Sequence, residues 1–124
     1  MDFSKSIDIF KKLGVKVRFF RPPWGKFNIL TKYNADKYKL ITVLWSLTPK
    51  DWSRFLTSND IKSNIINNIK AGDIVLLHDS NGAKEAPLRT IEALEDVIPK
   101  LKEMGYNFVG IDKILEGVEY EKCS

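Results

Sequence analysis

Histidine and cysteine are scarce in this sequence, which has 1 residue of each, His78 and Cys123. One cysteine beside the C-terminus excludes an intrachain disulfide framework and a thiolate zinc site. One histidine is also too few for a catalytic zinc centre, which normally takes about three protein ligands of the N, O or S type. We therefore predict that the isolated chain binds no divalent transition metal tightly.

Long hydrophobic runs are also missing. No apolar stretch approaches the roughly 18 residues needed to span a bilayer, and the first residues lack a basic segment followed by an apolar core. We expect no membrane segment and no export signal, and the compartment stays open. The 20 Lys and Arg against 16 Asp and Glu give a net charge of +4. Because the basic residues are scattered in ones and twos, they indicate a solvated surface and no nucleic-acid partner.

The 124 residues, 44% of them hydrophobic, suffice for one domain with a modest core. Apolar spacings of three and four predict helices at Phe3 to Leu13 and at Asn59 to Ala71, and a further helical stripe that begins at Leu88 and runs up to Gly105. The weakly periodic, polar segment Lys26 to Lys37 predicts a short helix, and Asp112 to Glu116 a helical turn. Apolar or alternating runs predict strands at Val15 to Phe20, Leu40 to Trp45, Ile74 to Leu77 and Tyr106 to Ile111. Strands that alternate with helices predict an α/β fold with a mainly parallel sheet.

Several residues predict where these elements begin, bend and end. Ser58 or Asn59 is expected to cap the third helix, and Pro99 to kink or split the fourth. The loop Arg21 to Gly25 contains two prolines, which end the first strand because they remove backbone donors. A turn is expected at Ser80 to Gly82.

Polar and aromatic residues follow three of the predicted strands. In a parallel sheet the loops after successive strands share one rim, so these residues should converge there. They are Arg21 with Trp24, Asp51 with Trp52, and His78 with Asp79. Two structural explanations of these residues stay open beside a functional site. A lone histidine at a strand end often has a structural role, and tryptophans often belong to the hydrophobic core. Trp45, at the end of an apolar strand, favours the core, whereas Trp52 has polar neighbours and favours a rim.

Three segments resemble the NodB-type polysaccharide deacetylases, metal-dependent amidases that remove acetyl groups from N-acetylated sugars of chitin, peptidoglycan and related glycans. Phe19 to Gly25 resembles the third motif of that family, with Trp24 where tyrosine is usual. Trp45 to Trp52 is similar to the fourth motif, and Ile74 to Asp79 to the fifth. The segment Gly105 to Val109 resembles the C-terminal strand of the family.

The resemblance implies an incomplete (β/α) barrel of the polysaccharide deacetylase type, an N-acetylated glycan as substrate, and a role for each matching residue. Arg21 would orient the catalytic base, the Trp24 backbone amide would help hold the oxyanion, Asp51 would tune His78, Trp52 would wall the pocket, Leu76 would pack on the acetyl methyl, and His78 would protonate the departing amine.

The family's first two motifs are not found in the chain. They supply an acidic pair, which gives the base and one metal ligand, and two metal-binding histidines, whereas no histidine precedes Arg21 here. The resemblance therefore implies the C-terminal portion of a deacetylase domain over residues 1–124, with no cofactor of its own and a divalent metal such as zinc in a complete domain. Complete members are often extracellular or associated with the cell wall.

Two hypotheses follow from this departure. In the first, the chain is part of a hydrolase that is competent only with a missing N-terminal half. In the second, it is a non-catalytic remnant or a glycan-binding module. A barrel without its front strands would also leave an edge open at Val15 to Phe20, which predicts self-association.

Overall fold

The computed structural model describes residues 3–80 and 82–114, without the side chain of Trp24. The chain forms two compact units, Met1–Leu44 and Trp45–Ser124. The sequence predicts one domain over residues 1–124, and this division into two units leaves that a prediction. Within the described ranges, no helix has the length and apolarity to cross a membrane.

The first unit contains α1 (Phe3–Lys12), β1 (Phe19–Phe20), a 3₁₀ turn (Pro23–Gly25), α2 (Ile29–Lys37) and β2 (Ile41–Thr42). Its core is formed by buried Phe3, Ala35 and Leu40, against which partly buried neighbours such as Phe20 pack. The predicted helix at Phe3 to Leu13 is confirmed. Gly14, just after α1, has a φ of 72°, a left-handed conformation that glycine adopts without strain.

The two strands of the first unit are parallel but shorter than the sequence predicts. Phe19 pairs with Ile41 and Phe20 with Thr42. The N-terminal half of the predicted strand is drawn away from the sheet, because the Val15 N–H donates to the carbonyl of Phe10 at 2.9 Å and closes the turn after α1. Only the last two residues of that segment pair with β2.

The second unit is built around two packed helices, α3 (Ser58–Asn68) and α4 (Ala86–Glu103). Their apolar stripes form one core of buried residues: Ile61, Ile65, Ala93, Val97 and Leu101. Ile66 and Ile69 are partly buried against that core. Spacings of three and four place these side chains on facing stripes, so the predicted pair of amphipathic helices is confirmed.

Thr57 is the N-cap of α3, so the prediction of Ser58 or Asn59 is wrong. The Thr57 hydroxyl accepts from the Asp60 N–H at 3.2 Å, and the Asp60 carboxylate accepts from the Thr57 N–H at 2.9 Å. This capping box satisfies two backbone donors at once. The reciprocal pair is available only when the cap residue stands three positions before the aspartate, which favours Thr57.

Pro99 lies inside α4, which continues through it to Glu103 without a split. Proline removes the hydrogen bond to the carbonyl one turn earlier, here that of Glu95. Both Pro99 and Glu95 lie on the exposed side of α4, where water can serve the freed carbonyl. The apolar stripe on the other side keeps the two halves of the helix in register.

The prediction of four strands is wrong for the described residues, which contain one two-stranded sheet and an isolated parallel bridge between Leu47 and Val75. For the wholly apolar segment Ile74 to Leu77 the sequence predicts a buried strand, but the segment is only half-buried. Tyr106 to Ile111 forms no strand, since the Tyr106 N–H donates to the Leu101 carbonyl at 3.0 Å and closes the end of α4. Residues 111–114 are helical, and the rest of the predicted turn lies outside the described residues.

Candidate active site

The loop between Leu47 and Trp52 carries Asp51 to the segment that ends at His78. The Leu76 N–H donates to the Leu47 carbonyl at 2.9 Å, and the Leu47 N–H donates to the Ile74 carbonyl at 3.2 Å. These bonds fix the two segments side by side in parallel. Both therefore deliver their following residues to the same end of the pair.

Asp51 is the buried acceptor of this site, with 1% of its surface exposed. Its Oδ2 accepts from the His78 N–H at 2.7 Å, and its Oδ1 lies 2.9 Å from the His78 Nδ1. A buried carboxylate facing Nδ1 requires a proton there, which leaves Nε2 as the ring nitrogen that is not held by Asp51. The imidazole side chain is 38% exposed, so this nitrogen belongs to an accessible ring.

Thr90 is a member of the site that sequence reasoning missed. Its hydroxyl lies 2.9 Å from Asp51 Oδ2, and Thr90 is 4% exposed. A signal was present in the sequence, because Thr90 stands in the buried stripe of α4 between Ala86 and Ala93. A polar side chain at a core position requires a buried hydrogen-bond partner, and here the partner is Asp51.

Trp52 lies beside the loop that follows His78, and 47% of its surface is exposed. The Ala83 N–H donates to the Trp52 carbonyl at 3.0 Å. Gly82 makes this close approach possible, since a Cβ added to it would lie 3.0 Å from the Trp52 Cβ. The turn predicted at Ser80 to Gly82 includes Asn81, which lies outside the described residues.

The remaining predicted site residues are Arg21, Trp24 and Leu76. Arg21 is exposed at the end of β1, and the backbone of Trp24 forms part of the 3₁₀ turn in the first unit. Leu76 is half-buried in the second unit. The structure brings together Asp51 and His78; the convergence of Arg21 and Trp24 with them, and every substrate contact, stay predictions.

The residues of the site do not fit a metal centre. In residues 3–80 and 82–114, no group of three or more His, Cys, Asp or Glu could hold a metal ion. One nitrogen of His78 faces Asp51, so this imidazole has a single nitrogen left for any other bond. Asp51 can hold the His78 ring in a fixed orientation at the surface, where its Nε2 can exchange a proton.

No protein-family model matches the sequence. It is 36% identical over 108 residues to a peptidoglycan-N-acetylglucosamine deacetylase of Bacillus cereus, a match that covers 86% of this chain and 49% of the relative. The chain belongs to the NodB-type polysaccharide deacetylase family. It spans about half the length of that curated relative.

Two solved structures show how far this deacetylase-family chain shares their fold. A family 4 acetyl xylan esterase from Clostridium thermocellum, in complex with a cobalt ion, is 34% identical with a TM-score of 0.72; the match covers 87% of this chain and 49% of that chain. A CE4 family pseudoenzyme from Bacillus anthracis is 31% identical with a TM-score of 0.69, and the match covers 86% of this chain and 35% of that chain. The family therefore includes a protein described as a pseudoenzyme.

Proposed function

We propose that this chain supplies the general-acid part of a site that removes N-acetyl groups from glycans such as chitin oligomers or peptidoglycan. The observation that carries the proposal is the pair formed by buried Asp51 and half-exposed His78, with 2.9 Å between Oδ1 and Nδ1. Its class of reaction is amide hydrolysis, in agreement with the deacetylase names of its relatives. The substrate remains an N-acetylated glycan of unspecified sequence.

Amide hydrolysis needs an acid because the amine is a poor leaving group until its nitrogen is protonated. His78 is suited to this step since Asp51 fixes the orientation of the ring and the position of one proton. The other ring nitrogen is then free to carry a proton to the departing amine. Trp52 and Leu76 would contact the substrate beside it, as the family resemblance implies.

The chain supplies only part of the chemistry that amide hydrolysis needs. The family resemblance implies that in a complete domain a divalent metal would polarise the acetyl carbonyl and activate water, and that an acidic residue would act as base; neither is assigned to this chain. Arg21 would orient that base, and the Trp24 backbone amide would help stabilise the oxyanion. We place the chain as the C-terminal portion of an incomplete (β/α) barrel, in which the other half of the domain would carry the first two motifs of the family.

Acetate release tests this function. Removal of one oxyanion donor alone costs about 10²- to 10³-fold in rate. The isolated chain lacks both the metal and the base, which is a larger loss, so it should release no measurable acetate from an N-acetylglucosamine oligomer. Co-expression with the N-terminal half of the Bacillus cereus relative should restore release, and His78→Ala should abolish it.

Four controls accompany that experiment: co-purification, Asp36→Asn, the isolated chain and His78→Ala. Co-purification of the two halves shows that they dock, and Asp36→Asn, a change at an exposed ion pair, should leave the restored release intact. Release by the isolated chain that depends on His78 would show that the missing motifs are dispensable. Restored release that is unchanged in His78→Ala would remove His78 from the acid role.

A second candidate is a glycan-binding module without chemistry. It is favoured by the exposed Trp52, since an aromatic face can stack on a sugar ring, and by the existence of a pseudoenzyme among the relatives. Calorimetry with the same oligomer separates the two candidates. Binding that is lost in Trp52→Ala, together with no acetate release after complementation, would favour the module.

A further inference from the structure

We propose that Thr90 is a positioning residue for His78, acting through Asp51. This inference rests on the proposed function for its consequence, because it concerns the same imidazole. Thr90 belongs to α4, and it would orient the carboxylate of Asp51, which lies in the loop before α3. Neither the sequence motifs nor the family resemblance gives Thr90 a role.

The two oxygens of Asp51 have different tasks. Oδ1 faces only the His78 Nδ1, at 2.9 Å, among the hydrogen bonds of the described residues. Oδ2 accepts from the His78 N–H at 2.7 Å and from the Thr90 hydroxyl at 2.9 Å. These two donors belong to segments that are 12 positions apart in sequence, at residues 78 and 90. Together they fix the rotation of the carboxylate, and that rotation determines where Oδ1 points.

An ordinary structural role for Thr90 competes with this one. Threonine inside a helix often donates to the carbonyl four residues earlier, and the Thr90 hydroxyl lies 3.1 Å from the Ala86 carbonyl. One hydroxyl proton cannot serve both acceptors fully. The carboxylate is the stronger acceptor because it is charged, it is 0.2 Å closer (3.1 against 2.9 Å) and its side chain is fully buried. The geometry therefore favours Asp51.

The consequence concerns the ring nitrogen that faces outward. If the carboxylate is free to rotate, Oδ1 no longer fixes the proton on the His78 Nδ1. The ring can then adopt the other tautomer, in which Nε2 carries the proton in the neutral state. The form that donates to the leaving amine is the doubly protonated ring, which keeps Nδ1–H on Asp51 and gives up the proton on Nε2. A ring whose orientation varies is positioned for this transfer for only part of the time, so the transfer becomes slower.

The single histidine makes a direct measurement possible. In ¹⁵N-labelled protein, the long-range correlations of one imidazole report the populations of its two neutral tautomers. We expect the form protonated at Nδ1 to dominate in the wild-type chain. Thr90→Val keeps the shape of the side chain but removes the hydroxyl, and it should lower the ratio of the Nδ1–H to the Nε2–H form by roughly fivefold, the equivalent of one net hydrogen bond.

Matched variants separate positioning from packing. Thr90→Ser keeps the hydroxyl and loses the methyl group, so it should retain the wild-type ratio. Thr42→Val makes the same chemical change in the other unit and should also leave the ratio unchanged. Asp51→Asn removes the carboxylate that faces His78, and its tautomer ratio serves as the reference for a His78 without that partner.

A folded Thr90→Val protein with the wild-type tautomer ratio would overturn the inference and leave the bond to Ala86 as the role of Thr90. If Thr90→Val does not fold, Thr90→Ala takes its place, and its tautomer ratio is compared with that of Thr90→Ser. Both proteins are then measured in an osmolyte that is excluded from the protein surface and so favours the folded state. This readout does not depend on deacetylation. Failure of acetate release after complementation would count against the proposed function alone, and an unchanged ratio against the role of Thr90 alone.

Discussion

Gly82 and Trp52 approach each other so closely that a Cβ added to Gly82 would lie 3.0 Å from both the Cβ and the carbonyl oxygen of Trp52. The neighbouring Ala83 N–H donates to that same carbonyl at 3.0 Å. The loop after His78 is thereby seated against the backbone of Trp52. A residue with a side chain at position 82 would push the two segments apart.

Gly82→Ala should therefore destabilise the protein and move Trp52. Gly72→Ala is the matched control, because Gly72 also has a positive φ, 85° against 77° for Gly82, but an added Cβ there would meet nothing within 4 Å. The left-handed conformation alone should cost each variant about 1–2 kcal/mol. Overpacking against Trp52 should cost Gly82→Ala roughly 1–3 kcal/mol more.

Urea unfolding measures this difference between the two variants. With Trp24 and Trp45 replaced by phenylalanine, the fluorescence of Trp52 can be followed alone, and its emission should shift in Gly82→Ala only. Equal losses of stability in the two alanine variants would contradict the close packing.

Asp51→Asn should destabilise the chain although it preserves the size of the side chain. The amide can accept at one end only, so a donor from His78 or Thr90 loses its partner in a buried place, at a cost of about 1–3 kcal/mol. Asp36→Asn removes an exposed ion pair with Lys32 and should change the unfolding free energy by less than about 1 kcal/mol. Similar urea midpoints for both variants would show that the bonds of Asp51 contribute little to folding.

Thr57→Ala should weaken the N-terminus of α3. The capping box loses its side-chain acceptor, which costs about 1 kcal/mol of stability, and Thr57→Ser should recover most of it. Thermal or urea unfolding of the three proteins at neutral pH measures the effect. A loss in Thr57→Ser as large as in Thr57→Ala would assign the effect to the methyl group instead.

The capping box also predicts a pH dependence. The Thr57 N–H and, with a smaller effect, the Thr57 hydroxyl donate to the Asp60 carboxylate and hold the pKa of Asp60 below its ordinary value of 3.8. Because the folded-state pKa is depressed, this contribution is present above the ordinary value and is lost as the pH falls through the lowered pKa. Wild-type stability measured relative to Asp60→Asn should therefore decrease below about pH 4. A difference between these proteins that is constant from pH 6 to about pH 2 would contradict the contribution of this pair.

Titration with zinc should reveal no one-to-one site of sub-micromolar affinity in the isolated chain. His78 is its single imidazole, and Nδ1 faces Asp51 at 2.9 Å. Calorimetry at neutral pH makes the measurement, with His78→Ala as the control. Tight binding that disappears in His78→Ala would mean that His78 recruits ligands that the described residues do not bring together.

The helices were predictable because their signal is local. Spacings of three and four along the segments around Phe3 and Ile61 determine which face is apolar, whatever the partner. The strands were predicted less well, since a strand forms only where another segment offers its hydrogen bonds. Tyr106 to Ile111 has the composition of a strand, but it forms none, and the Tyr106 N–H closes the end of α4.

The sequence by itself determined the residues available for chemistry: one imidazole, the aspartate and tryptophan of the loop before α3, and the order of motifs that indicates the deacetylase family. Only the tertiary structure decided how Asp51 is used. A buried carboxylate must find its donors wherever packing brings them, and here they come from positions 27 and 39 residues later in the chain. The apolar stripe of α4 marks Thr90 as a residue that needs a buried partner, but the sequence carries no mark of which partner, so Asp51 was recognisable only once α4 was in place.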